Sequence, residues 1–234
     1  MYSSYYTQSP YVPPQASQQC YQSTTSQFTA GLAPLPPPGL VIFPNYTAQR
    51  PESIIIKEKH KHITRQNFVV SYASTSHNFL ELDEDSKGNM LFIDLQTRQE
   101  VMRIVKQGGG LLGGGDKVYK GVGLDGREKW TLQLKRHSFS GSGSEYLLTA
   151  NIHGGQATPL QVQNRVSGAE KAILWNGRMV ATMNKHQELQ HLRRQDRVDV
   201  APGMDILLAL GVAWIRIVKQ KKDERKAIDA LAGM

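Results

Sequence analysis

The chain has 234 residues, with 28 Lys and Arg against 20 Asp and Glu, so it is long enough for one generous domain or two small ones. Cys20 is its only cysteine, which excludes a disulfide within the chain and a thiolate metal centre and points to a reducing compartment. Arg50 is the first charged side chain, so the whole basic excess falls beyond it, favouring anionic partners such as nucleic acid or the inner face of a membrane.

The N-terminus has neither a basic start nor an apolar core, so no secretory signal is read there. The expected location is intracellular and cytoplasmic, peripheral at the inner face of the plasma membrane, and not secreted. Residues 1–39 are rich in Tyr, Gln, Ser and Pro and carry no charge. Such a stretch cannot bury enough apolar surface to offset the entropy of ordering, and it is expected to be a disordered tail. Within it Pro34, Pro36, Pro37 and Pro38 favour polyproline II, which serves as a stiff spacer or as a ligand for a proline-reading domain.

From Leu40 onward the pattern is that of strands, beginning with the short apolar run Leu40–Phe43 and continuing with Ile54–Ile56. Phe68, Val70 and Tyr72 alternate with smaller or polar neighbours, as do Trp130, Leu132 and Leu134, then Tyr146, Leu148, Ala150 and Ile152, then Leu160 and Val162. That alternation marks half-buried antiparallel strands. Lys87-Gly88-Asn89, Asp125-Gly126 and Asn176-Gly177 each separate two such runs at hairpin spacing.

Met204–Val218 is apolar at almost every position, so no helical face is left for water. At 1.5 Å per residue it spans about 22 Å, short of the ~30 Å hydrocarbon core. Asp205 suits the start of this helix, and Arg216, Lys219, Lys221 and Lys222 suit its end. A helix apolar on all sides fills a closed sheet, and closing the sheet removes its exposed edges. The expected helix covers roughly 203–220, with Met204, Ile206, Leu207, Leu210, Trp214 and Ile217 in the core and 223–234 a basic and polar extension.

Leu40-Val41-Ile42-Phe43-Pro44, Ile54-Ile55-Ile56-Lys57-Glu58-Lys59 and Gly88-Asn89-Met90-Leu91-Phe92 resemble the opening of LURP-one-related proteins. Val200-Ala201-Pro202-Gly203-Met204-Asp205 with the apolar run after it resembles that family's C-terminus. The resemblance covers Leu40 to Lys222. It implies the tubby C-terminal-like fold, a mainly β, closed antiparallel barrel of about twelve strands around a hydrophobic C-terminal helix, which matches the reading from patterning. Tubby proteins, similar in fold, bind phosphoinositides through basic residues on the barrel. Phospholipid scramblases, more distant relatives, share a proline-rich tail, but the cysteine cluster that they acylate is absent here.

No catalytic constellation is nominated. His186 and His191 stand five apart rather than the four that a zinc helix needs. Gly108–Gly115 lacks the Lys-Ser/Thr of a phosphate loop, and Asp83–Gly88 places Lys87 where a calcium loop needs a ligand. No metal and no cofactor is expected. Lys57, Lys59 and Lys61 would share one strand face, a row of ammonium groups suited to phosphates, and Lys135 and Arg136 are further candidates. The expected function is a non-enzymatic module for an anionic, phosphoinositide-like membrane lipid or a protein partner, with no obligate oligomer. Nucleic-acid binding is an alternative, weakened because no aromatics cluster with the basic residues. A scramblase-like membrane protein is another.

Overall fold

The structure is a computed structural model, and it describes residues 31–59, 67–108, 117–136, 144–152, 157–166, 169–186 and 194–232. Twelve strands follow in chain order: β1 (Glu52–Glu58), β2 (Asn67–Tyr72), β3 (Asn78–Glu84), β4 (Met90–Asp94), β5 (Glu100–Gln107) and β6 (Lys117–Gly123). Then come β7 (Glu128–Arg136), β8 (Ser144–Asn151), β9 (Ala157–Val166), β10 (Ala169–Trp175), β11 (Arg178–His186), β12 (Gln195–Val200) and one helix, α1 (Ile206–Ala232). Each strand pairs antiparallel with its sequence neighbour, and β12 pairs with β1 to close the barrel.

Alternation explains which side chains fill it. Ile54 and Ile56, Leu80 and Leu82, Trp130 and Leu132, and Val198 and Val200 are buried and point inward. They meet Met204, just ahead of α1, and Ile206, Leu207, Leu210, Trp214 and Ile217 within it, each no more than 5% exposed. Asn176 and Gly177 both take positive φ, 50° and 76°, so β10 and β11 are joined by the two-residue turn that their right-handed twist favours.

Three details depart from the sequence reading. Leu40–Phe43 is a strap across the end where α1 enters, not a strand. Its amides find other acceptors: Leu40 N–H donates to Gly203 C=O, while Ile42 and Phe43 donate to the Asp205 carboxylate at 3.1 and 2.8 Å. Residues 31–39, grouped with the tail by composition, also lie on the barrel. Leu35 is buried, with its amide on Pro202 C=O, and Gly39 N–H closes a turn onto Pro36 C=O. Pro34, Pro36, Pro37 and Pro38 stay exposed on this turn, and residues 1–30 of the expected tail lie outside the described residues. Finally, α1 does not stop near 220 but runs on to Ala232. Arg216 therefore sits within the helix, 3% exposed, and the Asp196 and Glu170 carboxylates meet its charge where a helix terminus was expected to. Among the described residues no helix is long and apolar enough to cross a membrane.

Candidate functional site

Antiparallel register sorts the strand ends into two sets. The entry end, where α1 begins, gathers the N-termini of odd-numbered strands and the C-termini of even-numbered ones, from Glu52 and Tyr72 round to Val200. The exit end gathers the opposite termini, from Glu58 and Asn67 round to His186 and Gln195. Helix α1 emerges at this exit end: Lys219 Nζ donates to Tyr146 Oη at 3.2 Å, Lys221 Nζ to Glu58 Oε1 at 2.8 Å, and Gln220 Oε1 accepts from Arg194.

The exit end is where the basic residues meet. Lys57 and Lys59 close β1, Lys106 closes β5, Lys185 closes β11, and Lys171 opens β10. Some are neutralised. Lys59 pairs with Glu81 at 2.7 Å, Arg194 with Asp196 at 2.6 Å, and Arg216 with both Asp196 and Glu170. Among the described residues Lys57, Lys106, Lys185 and Lys222 have no acidic partner. At the entry end Arg50 and Lys129, and in the middle of the barrel Arg103 and Lys120, are each paired with a carboxylate at 2.7–2.9 Å. Among the described residues, besides the buried Lys171, five lysines without an acidic partner, counting Lys87 of the β3–β4 turn, therefore stand at the exit end, against three such arginines, Arg98, Arg127 and Arg178, at the entry end.

Lys171 is the most unusual of these. It alternates inward with Ile173, is 3% exposed, and holds its ammonium 3.4 Å from the centre of the Tyr146 ring. Among the described residues no carboxylate reaches it. Burial, with the charges of Lys219 and Arg216 beside it, pushes its amine down to about 7. Lysines are common in this sequence, and only the packing of β10 against β8 and α1 distinguishes this one, so sequence reading had no signal for it.

The expected row Lys57–Lys59–Lys61 is divided. Lys57 projects outward from β1 without a partner, Lys59 is tied to Glu81, and Lys61 lies outside the described residues. Lys135 and Arg136 fall at the exit end of β7, opposite Glu145 and Ser144 of β8. Topology thus brings all four described candidates to the same end of the barrel.

The entry end carries a cleft of about 630 Å³ with Phe43, Tyr46, Tyr72, Phe79 and Leu124 among its walls. Tyr72 and Phe79 stack at 4.3 Å. Its carboxylate Asp94 is already engaged, accepting from Tyr46 Oη at 2.6 Å and from the amides of Gln96 and Thr97. Burial and the Asp94 carboxylate together push the Tyr46 hydroxyl up. The Asp83–Gly88 stretch is an ordinary hairpin tip, with Asp85 capping the amides of Lys87 and Asn89 at 2.8 and 2.9 Å. Among the described residues no group of three or more His, Cys, Asp or Glu is placed to hold a metal ion.

Comparison with known proteins yields no matching family model and no matching curated protein. Among solved structures, the X-ray structure of a protein from Arabidopsis thaliana aligns with a TM-score of 0.45 and 16% identity, covering 77% of this chain and 99% of that one.

Proposed function

We propose that this protein is a non-enzymatic docking module that binds an anionic membrane lipid, of phosphoinositide type, at the exit end of its barrel. One observation carries the reading: every lysine outside the core that lacks an acidic partner among the described residues lies at that end, on β1, the β3–β4 turn, β5, β11 and α1, five such cations against three arginines at the entry end. Unpaired, exposed ammonium groups on rigid strand ends keep their full attraction for phosphate. Each adds about 1 kcal/mol near an anionic leaflet. The resemblance of the strap and helix motifs to LURP-one-related proteins accords with a tubby-like barrel in such a role. The location that fits is the inner face of the plasma membrane, where anionic lipid is exposed to the cytoplasm.

Vesicle sedimentation tests this. The full chain is expected to sediment with phosphatidylcholine vesicles containing phosphatidylinositol bisphosphate and to stay in solution with phosphatidylcholine alone. A folded protein that ignores both at low salt would remove the proposal. A salt-dependent shift with RNA or duplex DNA and none with lipid would put nucleic acid in its place.

A further inference from the structure

Beyond Lys221, α1 leaves the barrel and continues to Ala232, a further 16 Å or so at 1.5 Å per residue. Residues 222–224 and 227–231 are exposed. The segment is nevertheless two-sided. At 100° per residue, Ala227, Ile228 and Leu231 fall on one side of the helix and Lys222 and Asp229 on the other; Glu224 projects on the apolar side too, one turn nearer the barrel, where its charge acts on Arg194. Ile228 and Leu231 are 64% and 74% exposed, and only two other large hydrophobic residues among the described ones, Leu124 and Leu147, are exposed at all comparably.

An apolar helical face held out in water needs something to cover it. Its position on the molecule narrows the choice. The projecting turns leave the barrel at the end that carries Lys57, Lys106, Lys185 and Lys222, without acidic partners among the described residues, so whatever anionic surface meets these lysines also meets the helix. The face itself is short. A protein groove that seats an amphipathic helix takes anchors at i, i+3 or i+4, and i+7, whereas this face has two large anchors three residues apart. Two anchors beside a cluster of cations suit shallow insertion at the headgroup–acyl boundary, where apolar burial and attraction to anionic lipid act together.

We propose that residues 222–232 are an interfacial membrane anchor: the Ile228–Leu231 face enters an anionic bilayer surface while the lysines of the exit end hold its headgroups. This rests on the reading of the exit end as a lipid-docking surface and names the element that grips the bilayer.

The test uses the full chain and phosphatidylcholine vesicles containing phosphatidylserine and phosphatidylinositol bisphosphate. The double variant Ile228→Asp/Leu231→Asp is expected to lower the fraction sedimented about five-fold or more, with an unchanged thermal unfolding midpoint because both side chains are already in water. Ile228→Trp is expected to gain a blue-shifted emission component, quenched by brominated lipid, that the wild type lacks. If the double variant sediments as well as wild type while Lys57→Glu/Lys185→Glu does not, the anchor is wrong and the docking surface stands. If wild type never sediments, both readings fall. If the double variant instead loses a concentration-dependent dimer seen by sedimentation velocity in the absence of lipid, the face belongs to a second copy and the anchor is likewise overturned.

Discussion

Lys171 and Asp205 are both buried ionisable groups, and their surroundings lead to opposite expectations on substitution. Among the described residues Lys171 has only a ring face and two other cations for company, so folding depresses its amine from 10.5 to about 7. A depressed amine contributes stability above its unfolded value and loses it as the pH falls through the folded one, so stability is expected to rise between about pH 7 and pH 10. Lys171→Met is therefore expected to stabilise the protein by about 2 kcal/mol near pH 6, a gain that shrinks as the pH approaches 10. Urea unfolding across that range checks it, and a variant less stable than wild type at pH 6 would show that the ammonium is held by something other than Tyr146. Asp205 is buried too, and burial pushes its carboxyl up to about 7, against the pull of the amides of Phe43, Leu208, Ile42 and Leu207. It caps α1 through Leu208 N–H at 2.9 Å and holds the strap through Ile42 and Phe43. Asp205→Ala removes a cap and strands buried amides, at an expected cost of roughly 3 kcal/mol in denaturant unfolding, with Asp205→Asn losing clearly less. The capping role was legible, since an acid just ahead of an apolar helix has few other uses. The strap contact was not, because it joins residues 162 and 163 positions apart.

The elements were readable wherever pairing followed the side-chain period. β7, β8 and β9 alternate cleanly, and the turns at Gly88, Gly126 and Gly177 announce themselves by glycine, whereas Ser76 and Arg98 take the positive φ in the β2–β3 and β4–β5 turns. Leu40–Phe43 misleads because four apolar residues in a row say only that they are buried, not whether a ladder partner exists. The end of α1 misleads because Lys219, Lys221 and Lys222 look like a helix terminus, when they mark the point at which the helix leaves the barrel. One packing device is invisible without coordinates. The Trp130 indole is wedged between β6 and α1, where a Cβ at Gly121 would overlap its ring and one at Gly211 would stand 2.5 Å from Cζ2. A glycine inside a helix ordinarily costs about 1 kcal/mol relative to alanine, so Gly211→Ala would normally stabilise. Here Trp130 is fully buried and cannot retreat, and the substitution is expected to destabilise by about 3 kcal/mol through overpacking. Gly126→Ala, with nothing within 4 Å but φ of +71°, is the matched control and should cost only about 1 kcal/mol. Equal losses at the two sites in thermal unfolding would dismiss the wedge.

At the scale of the whole molecule, the question is why the lysines without acidic partners collect at one end. Lys57, Lys106, Lys185 and Lys222 are scattered over 166 positions of sequence, and nothing in their spacing links them. Up-and-down pairing links them, because every second strand end falls on the same rim. The sequence names Lys57 and Lys59, and Lys135 with Arg136, each as a local cluster, but it does not link them to one another or to Lys106, Lys185 and Lys222, because that depends on twelve consecutive registers. It also could not foresee that Glu81 would take Lys59. The sorting gives the proposed docking a salt signature. Cations held apart on a rim act on a membrane through its surface potential, which is screened over a Debye length of about 10 Å at 0.1 M salt and about 3 Å at 1 M. Vesicle binding should therefore weaken steeply between these two salt concentrations, and Lys57→Glu/Lys185→Glu should reproduce most of that weakening at low salt, since each reversal removes an attraction and adds a repulsion. The corresponding reversal at the entry end, Lys129→Glu, breaks a pair with Asp125 and alters net charge by the same amount per site. If binding depends on the sorted rim, that variant keeps its affinity, as read by sedimentation at fixed ionic strength. If it loses as much per charge as the exit-end variant, binding follows net charge alone and the asymmetry of the barrel has no part in it.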